Sequence, residues 1–124
     1  MGFNNDTQSF QQIQGVLKKI SVGADGTVWG INPSNQIYRF NNDTQSFQQI
    51  QGVLTEISVG ADGTVWGINP SNQIYRFNNS TQRFQQIQGV LTQISVGADG
   101  TVWGINPSNQ IYRFNNSTQR FQQI

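Results

Sequence analysis

Histidine and cysteine are absent from this chain of 124 residues, and its only acids are Asp6, Asp25, Asp43, Glu56, Asp62 and Asp99. The commonest general base, the commonest metal ligand and the thiolate nucleophile are therefore missing. Other side chains recur at intervals of 37 residues: Trp29, Trp66 and Trp103; Tyr38, Tyr75 and Tyr112; Arg39, Arg76 and Arg113; Asn35, Asn72 and Asn109. An amphipathic ring can stack on the C–H face of a sugar. The planar guanidinium fork suits hydroxyl pairs, carboxylates or phosphates. These are groups for binding a hydroxyl-rich ligand.

Each set has a second, structural role open to it. A tryptophan mid-strand between apolar neighbours can wedge between packed sheets, with its indole N–H bonded to backbone. Tyrosine alternating with Ile and Arg can be half-buried, and the arginine can be solvated or bonded between sheets. Asn32, Asn35 and their equivalents flank a Pro-Ser pair, where asparagine serves turn geometry. Asp25, Asp62 and Asp99 supply one carboxylate per repeat in a tight Asp-Gly turn, against the six to eight oxygens that calcium takes. No metal and no cofactor are expected. No two acids are paired in sequence, and repetition sets equivalent acids roughly a sheet apart, whereas glycoside hydrolysis needs carboxylates about 5–10 Å apart. The chain does not read as an enzyme.

Charged residues make up 10% of the chain and the net charge is +1, against about 25% charged in average soluble proteins. Such a field neither steers nucleic acid nor holds an acidic membrane. No apolar run approaches the roughly 20 residues of a membrane span. The opening MGFNNDTQSF lacks a basic and an apolar region, so no signal peptide is read there. Asp6 stands where myristoylation after Met-Gly needs Ser or Thr. A soluble chain is expected, with no location assigned. Asn5-Asp6-Thr7, Asn42-Asp43-Thr44, Asn79-Ser80-Thr81 and Asn116-Ser117-Thr118 match the N-glycosylation acceptor pattern, but without a leader no glycan is expected on them.

The elements that must position these residues are short strands. The unit ISVGADGTVWGINPSNQIYR begins unchanged at Ile20, Ile57 and Ile94, and FNN(D/S)TQ(S/R)FQQI begins at Phe3, Phe40, Phe77 and Phe114. In the middle repeat, strands are predicted at 56–59, 64–68, 73–77 and 83–87, separated by the turn signals Asp62-Gly63, Asn69-Pro70-Ser71-Asn72 and Asn78-Asn79-Ser80-Thr81. Thr64, Trp66 and Ile68 share one face; Val65 and Gly67 share the other, and Gly67 allows a neighbouring sheet close approach. No apolar period of 3.6 occurs, so essentially no helix is expected. Four antiparallel strands in a 37-residue unit with apolar side chains on both faces make the blade of a β-propeller. A β-solenoid would have coil corners in place of Asp-Gly hairpins, and regular Gly, Pro and Asn turns argue against a Gln/Asn-rich aggregating segment.

The chain divides into 1–19 (an extra outer strand and linker) and blades at 20–56, 57–93 and 94–124. Propellers typically close with four to eight blades, so three leave two apolar faces open. Two chains meeting through two equivalent junctions give a six-bladed homodimer; three chains give a wider, nine-bladed ring. Residues 3–13 and 114–124, read as one strand at opposite ends, offer two candidates for completing the junction blade. Near-identity of the copies marks recent amplification or deliberate construction.

The string SVGADGTVWGINPSNQIYRFN resembles the tectonin repeat: a strand ending in G-x-D-G, then V-W-G, then a turn into Q-I-Y-R. All three repeats match over essentially their whole length. The family includes fungal and slime-mould tectonins, horseshoe-crab haemolymph lectins and fish-egg lectins. The resemblance implies a propeller of about six blades and recognition of glycans, methylated sugars or lipopolysaccharide. A symmetric scaffold that retains no ligand is the alternative.

Overall fold

The computed structural model describes residues 2–4 and 9–124. Asp6 and the Asn5-Asp6-Thr7 acceptor pattern lie outside the described residues. Three four-stranded antiparallel sheets succeed one another along the chain. The first comprises β3 (Lys19–Val22), β4 (Val28–Ile31), β5 (Gln36–Asn41) and β6 (Ser46–Val53). The second comprises β7 (Glu56–Val59), β8 (Val65–Ile68), β9 (Gln73–Asn78) and β10 (Arg83–Val90). The third comprises β11 (Gln93–Val96), β12 (Val102–Ile105), β13 (Ile111–Asn115) and β14 (Arg120–Gln123). A separate hairpin pairs β1 (Gly2–Asn4) with β2 (Ser9–Gln11).

The first strands β3, β7 and β11 lie side by side, as do the fourth strands β6, β10 and β14. The sheets therefore stack face to face like blades. Strand β3 does not lie against β11, so the three blades form an open arc. Trp29, Ile31, Ile37, Ile50 and Leu54 from the first blade meet Val59, Val65 and Phe77 of the second in one apolar cluster. One repeat on, Trp66, Ile68, Ile74, Ile87 and Leu91 meet Val102 and Phe114. The core thus sits between sheets, and the middle repeat supplies one half of each of the two junctions.

The turns explain the strand ends. Gly60 N–H donates to Thr64 O and Gly63 N–H to Gly60 O. Only Gly63 is left-handed, at φ 83°, so Asp62-Gly63 belongs to a three-residue hairpin loop. This places Thr64 in the turn and starts β8 at Val65. Asn69 Oδ1 accepts from Ser71 N and Gln73 N, which shapes the Pro-Ser turn and leaves Asn72 left-handed at φ 64°. Strand β10 runs three residues beyond the expected Ile87, through an irregularity between Ile87 and Val90 where Gly89 adopts φ 127°. Gly67 does receive a close neighbour: a methyl there would collide with Leu54 Cδ1, from the connection between blades.

The structure corrects the reading of residues 3–13 as a single strand. The repeated unit is instead the end of one strand, a turn and the next strand: Phe114 and Asn115 close β13, and Arg120–Gln123 form β14. At the other end the same unit makes β1 and β2, a two-stranded hairpin separate from the three blades.

Candidate ligand-binding clefts between the blades

The recurrent tryptophans occupy the blade junctions. Trp29 and Trp66 are each 2% exposed, whereas Trp103, with no fourth blade beyond it, is 39% exposed. Trp29 meets Phe77 and Phe84 edge-on at centroid distances of 4.9 and 5.8 Å. Trp66 meets Phe114 and Phe121 in the same way at 4.9 and 5.7 Å. Their indole Nε1 atoms are buried with no hydrogen-bond partner among the described residues, unlike the backbone bond expected of a wedged tryptophan. Crowding by two aromatic rings from the next blade takes the place a polar partner would need.

The arginines fasten these wedges. Arg39 stands opposite Trp29 in the ladder, its guanidinium carbon 5.4 Å from the Trp29 ring centroid and 5.7 Å from that of Phe77. Its Nη1 donates to Gln82 Oε1 of the next blade at 3.1 Å. Arg76 repeats the arrangement over Trp66 and Phe114 and donates to Gln119. Arg113 lies over Trp103 alone. Asn35, Asn72 and Asn109 are left-handed turn residues, and the carbonyls of Asn35 and Asn72 accept from Leu54 N and Leu91 N.

Among the described residues the tyrosines are the recurrent set that lines a cleft in every repeat, whereas of the tryptophans Trp103 alone lines a hollow, on the uncovered face of the third blade. Between the first and second blades a cleft of about 400 Å³ is lined by Gln51, Gly52, Leu54, Asn69, Tyr75, Arg83 and Phe84, among others. The equivalent cleft between the second and third blades is about 380 Å³, with Gln88, Gly89, Leu91, Asn106, Tyr112, Arg120 and Phe121. A third, of about 410 Å³, lies on the outer face of the first blade, with Gln14, Gly15, Leu17, Asn32, Tyr38, Ser46 and Phe47. The period of 37 residues is thus a period of clefts. Each has an aromatic wall and a tyrosine whose hydroxyl makes no hydrogen bond among the described residues. The Asn69 amide is largely engaged in its own turn, with Nδ2 donating to Gln73 Oε1 at 2.8 Å.

Sequence reasoning missed Phe84, Gln51 and Arg83 as lining residues. The signal available was the fourth strand itself: position 46, 83 or 120 is one of the few that differs between copies, Ser in one and Arg in two. The acids lie elsewhere. Asp62 accepts from Thr64 N at 3.0 Å, and that backbone bond, with the Thr64 hydroxyl, holds its carboxyl below the usual 3.8. Asp25 and Asp99 are lowered by Thr27 and Thr101 in the same turn. Glu56 pairs with Lys19 across the first junction at 2.6 Å. Among the described residues no helix is long and apolar enough to cross a membrane.

Comparison with known proteins agrees with this geometry. Tectonin-2 of Physarum polycephalum is 50% identical over 34 residues, which is 27% of this chain and 10% of that protein. Among solved structures, the RRP9 WD40 repeats superpose with a TM-score of 0.72 at 8% identity, over 92% of this chain and 41% of theirs. A chain of the mitotic checkpoint complex gives 0.68 at 12% identity, over 92% and 40%. The extracellular domain of the putative one component system BT4673 from B. thetaiotaomicron gives 0.65 at 14%, over 94% and 18%. This chain therefore spans a minor part of each. At such identities the structures speak for the propeller-like fold alone. The sequence model of the Tectonin domain matches residues 2–124, and the chain belongs to the Tectonin domain family.

Proposed function

We propose that this chain is a non-catalytic, multivalent carbohydrate-binding protein whose sites are the equivalent clefts between blades. The observation that carries the reading is the recurrence of one cleft, with Tyr38, Tyr75 or Tyr112 beside Phe47, Phe84 or Phe121. An aromatic wall with a free hydroxyl suits a sugar, which presents an apolar C–H face and a polar rim. Several weak sites on one rigid body raise avidity by about 10²–10⁴. Tectonin membership supports the same reading, with methylated glycans and lipopolysaccharide cores as the first ligands to test. A glycan array should give hits that Tyr38→Ala, Tyr75→Ala and Tyr112→Ala together abolish. A folded protein that binds no glycan on the array ends the proposal.

We further propose that two chains close a six-bladed ring. The outer face of the third blade exposes Trp103 and Ile111, and that of the first exposes Ile20 and Val22. Their counterparts at the internal junctions are buried (Trp29, Trp66, Ile37, Ile74 and Val59) or half-buried (Ile57, Ile94 and Val96), so one face complements the other. A symmetric propeller scaffold without ligand is the competing reading. It is favoured by one observation: the tryptophan and arginine of the first two repeats are engaged in blade packing.

A further inference from the structure

The three clefts differ in charge. Arg83 lines the cleft between the first and second blades and Arg120 that between the second and third. Ser46 holds the equivalent place in the cleft on the first blade. Both arginines are exposed, and their guanidinium groups have no hydrogen bond or ion pair among the described residues. They differ in this from Arg39 and Arg76, which stack on tryptophan and bond to Gln82 and Gln119.

A second difference accompanies the first. Three residues before Ser46 the turn carries Asp43, whereas three residues before Arg83 and Arg120 it carries Ser80 and Ser117. An aspartate three residues away along the chain would offset part of the arginine's charge. The copies that carry the cation carry serine in place of that acid. The remaining acids of the second and third blades are engaged elsewhere: Glu56 with Lys19, Asp62 with Thr64 and Asp99 with Thr101.

We infer that the clefts bearing Arg83 and Arg120 select sugars with an anionic substituent, a carboxylate or a phosphate, while the Ser46 cleft does not distinguish charged from neutral sugars. The inference rests on the glycan-binding reading above and adds the ligand class. The sugar ring lies against Tyr75 and Phe84, and the guanidinium at the cleft margin takes the anion through paired N–H donors. A net charge of +1 gives no general attraction for anions, so preference must come from the local group.

The test compares methyl β-glucoside, methyl β-glucuronide, glucose 6-phosphate and inorganic phosphate by calorimetry and by NMR of the arginine Nε–Hε groups. The charged sugars are expected to bind about three- to tenfold tighter than the glucoside, between the strength of an exposed ion pair and that of a charge-assisted bond. Shifts should be confined to Arg83 and Arg120, and the preference should weaken with salt. The tighter of glucuronide and sugar phosphate identifies the anion. In Arg83→Ser with Arg120→Ser, the ratio of charged to neutral affinity should fall towards one; in Ser46→Arg it should rise. Each substitution installs the residue already present at the equivalent position of another blade, so the fold has a precedent for it. Equal affinity for glucoside and glucuronide in the original protein overturns the inference and leaves the glycan reading standing. Inorganic phosphate binding as tightly as the sugar phosphate overturns it too. Absence of binding by every sugar overturns both.

Discussion

At the scale of single residues, the same side chain does different work according to whether another blade covers it. Trp66 is enclosed by Phe114 and Phe121, so Trp66→Ala should cost about 3–5 kcal/mol in chemical denaturation. Trp103→Ala should cost less than half of that in protein dilute enough to be a single chain, because Trp103 is 39% exposed. Tyr75→Phe offers the converse. Its hydroxyl has no partner among the described residues, so the denaturation midpoint should move by no more than about 0.5 kcal/mol. Glycan affinity should fall, and a variant that binds as well as the original protein would remove the hydroxyl from the site. These contrasts mark what the sequence makes readable. Trp66 and Tyr75 both stand out by recurrence, yet recurrence cannot say which points into a junction and which into a cleft. That depends on how the next blade is offset. Arg83 escapes notice because it breaks the repetition that draws attention to the others.

At the scale of elements, the turns are the legible part. Asp-Gly, Asn-Pro-Ser-Asn and the Asn-rich turn fall where strands end, because each residue type solves a local backbone problem. The Asp62 carboxylate caps its own turn through Thr64 N–H, and its folded acidity is lowered from 3.8. The stabilisation is therefore present above the unfolded value and is lost as pH falls below 3.8 through the folded one. Asp62→Asn should flatten the acid limb of a stability profile while leaving neutral pH little changed; an unaltered acid limb would show that the turn does not report on folding. Left-handed Gln82, at φ 58°, has no signal of its own, since glutamine is not a turn-former. Its place is set by Asn78, whose Oδ1 accepts from Ser80 N and Thr81 N. The same turn hides the nature of residues 3–13. Because the three four-stranded blades are complete without β1 and β2, deleting residues 1–14 should leave the assembly intact. Deleting 115–124 removes β14 and should weaken it, unless the N-terminal copy substitutes. Equal loss on both deletions, seen by size-exclusion chromatography, would contradict this.

At the scale of the molecule, the decisive quantity is the pair of uncovered blade faces. Each internal junction is made by the same contacts: Ser21 Oγ accepts from Val59 N, and Ser58 Oγ from Val96 N, both at 3.1 Å. Arg39 reaches Gln82 and Arg76 reaches Gln119. The next terms of these series are Ser95 to Val22 and Arg113 to Gln45, and neither can be made inside one open arc. In the proposed dimer a second copy would supply both at once, and by symmetry it would have the same needs met in return. Burying Trp103, Ile111, Ile20 and Val22, which are 39–58% exposed, adds hydrophobic free energy at about 25 cal/mol per Å². Light scattering should therefore give about twice 13.9 kDa, with a mass that falls on dilution and tryptophan emission that reddens as Trp103 meets water. Arg113→Ala should shift that dissociation to higher protein concentration by more than Arg39→Ala does, since Arg39 acts within a chain and the proposed ring would use Arg113 between chains. A mass of three chains would point to a nine-bladed ring. A monomer at micromolar concentration, with Trp103 already at the emission of an exposed indole, would rule out closure by a second copy.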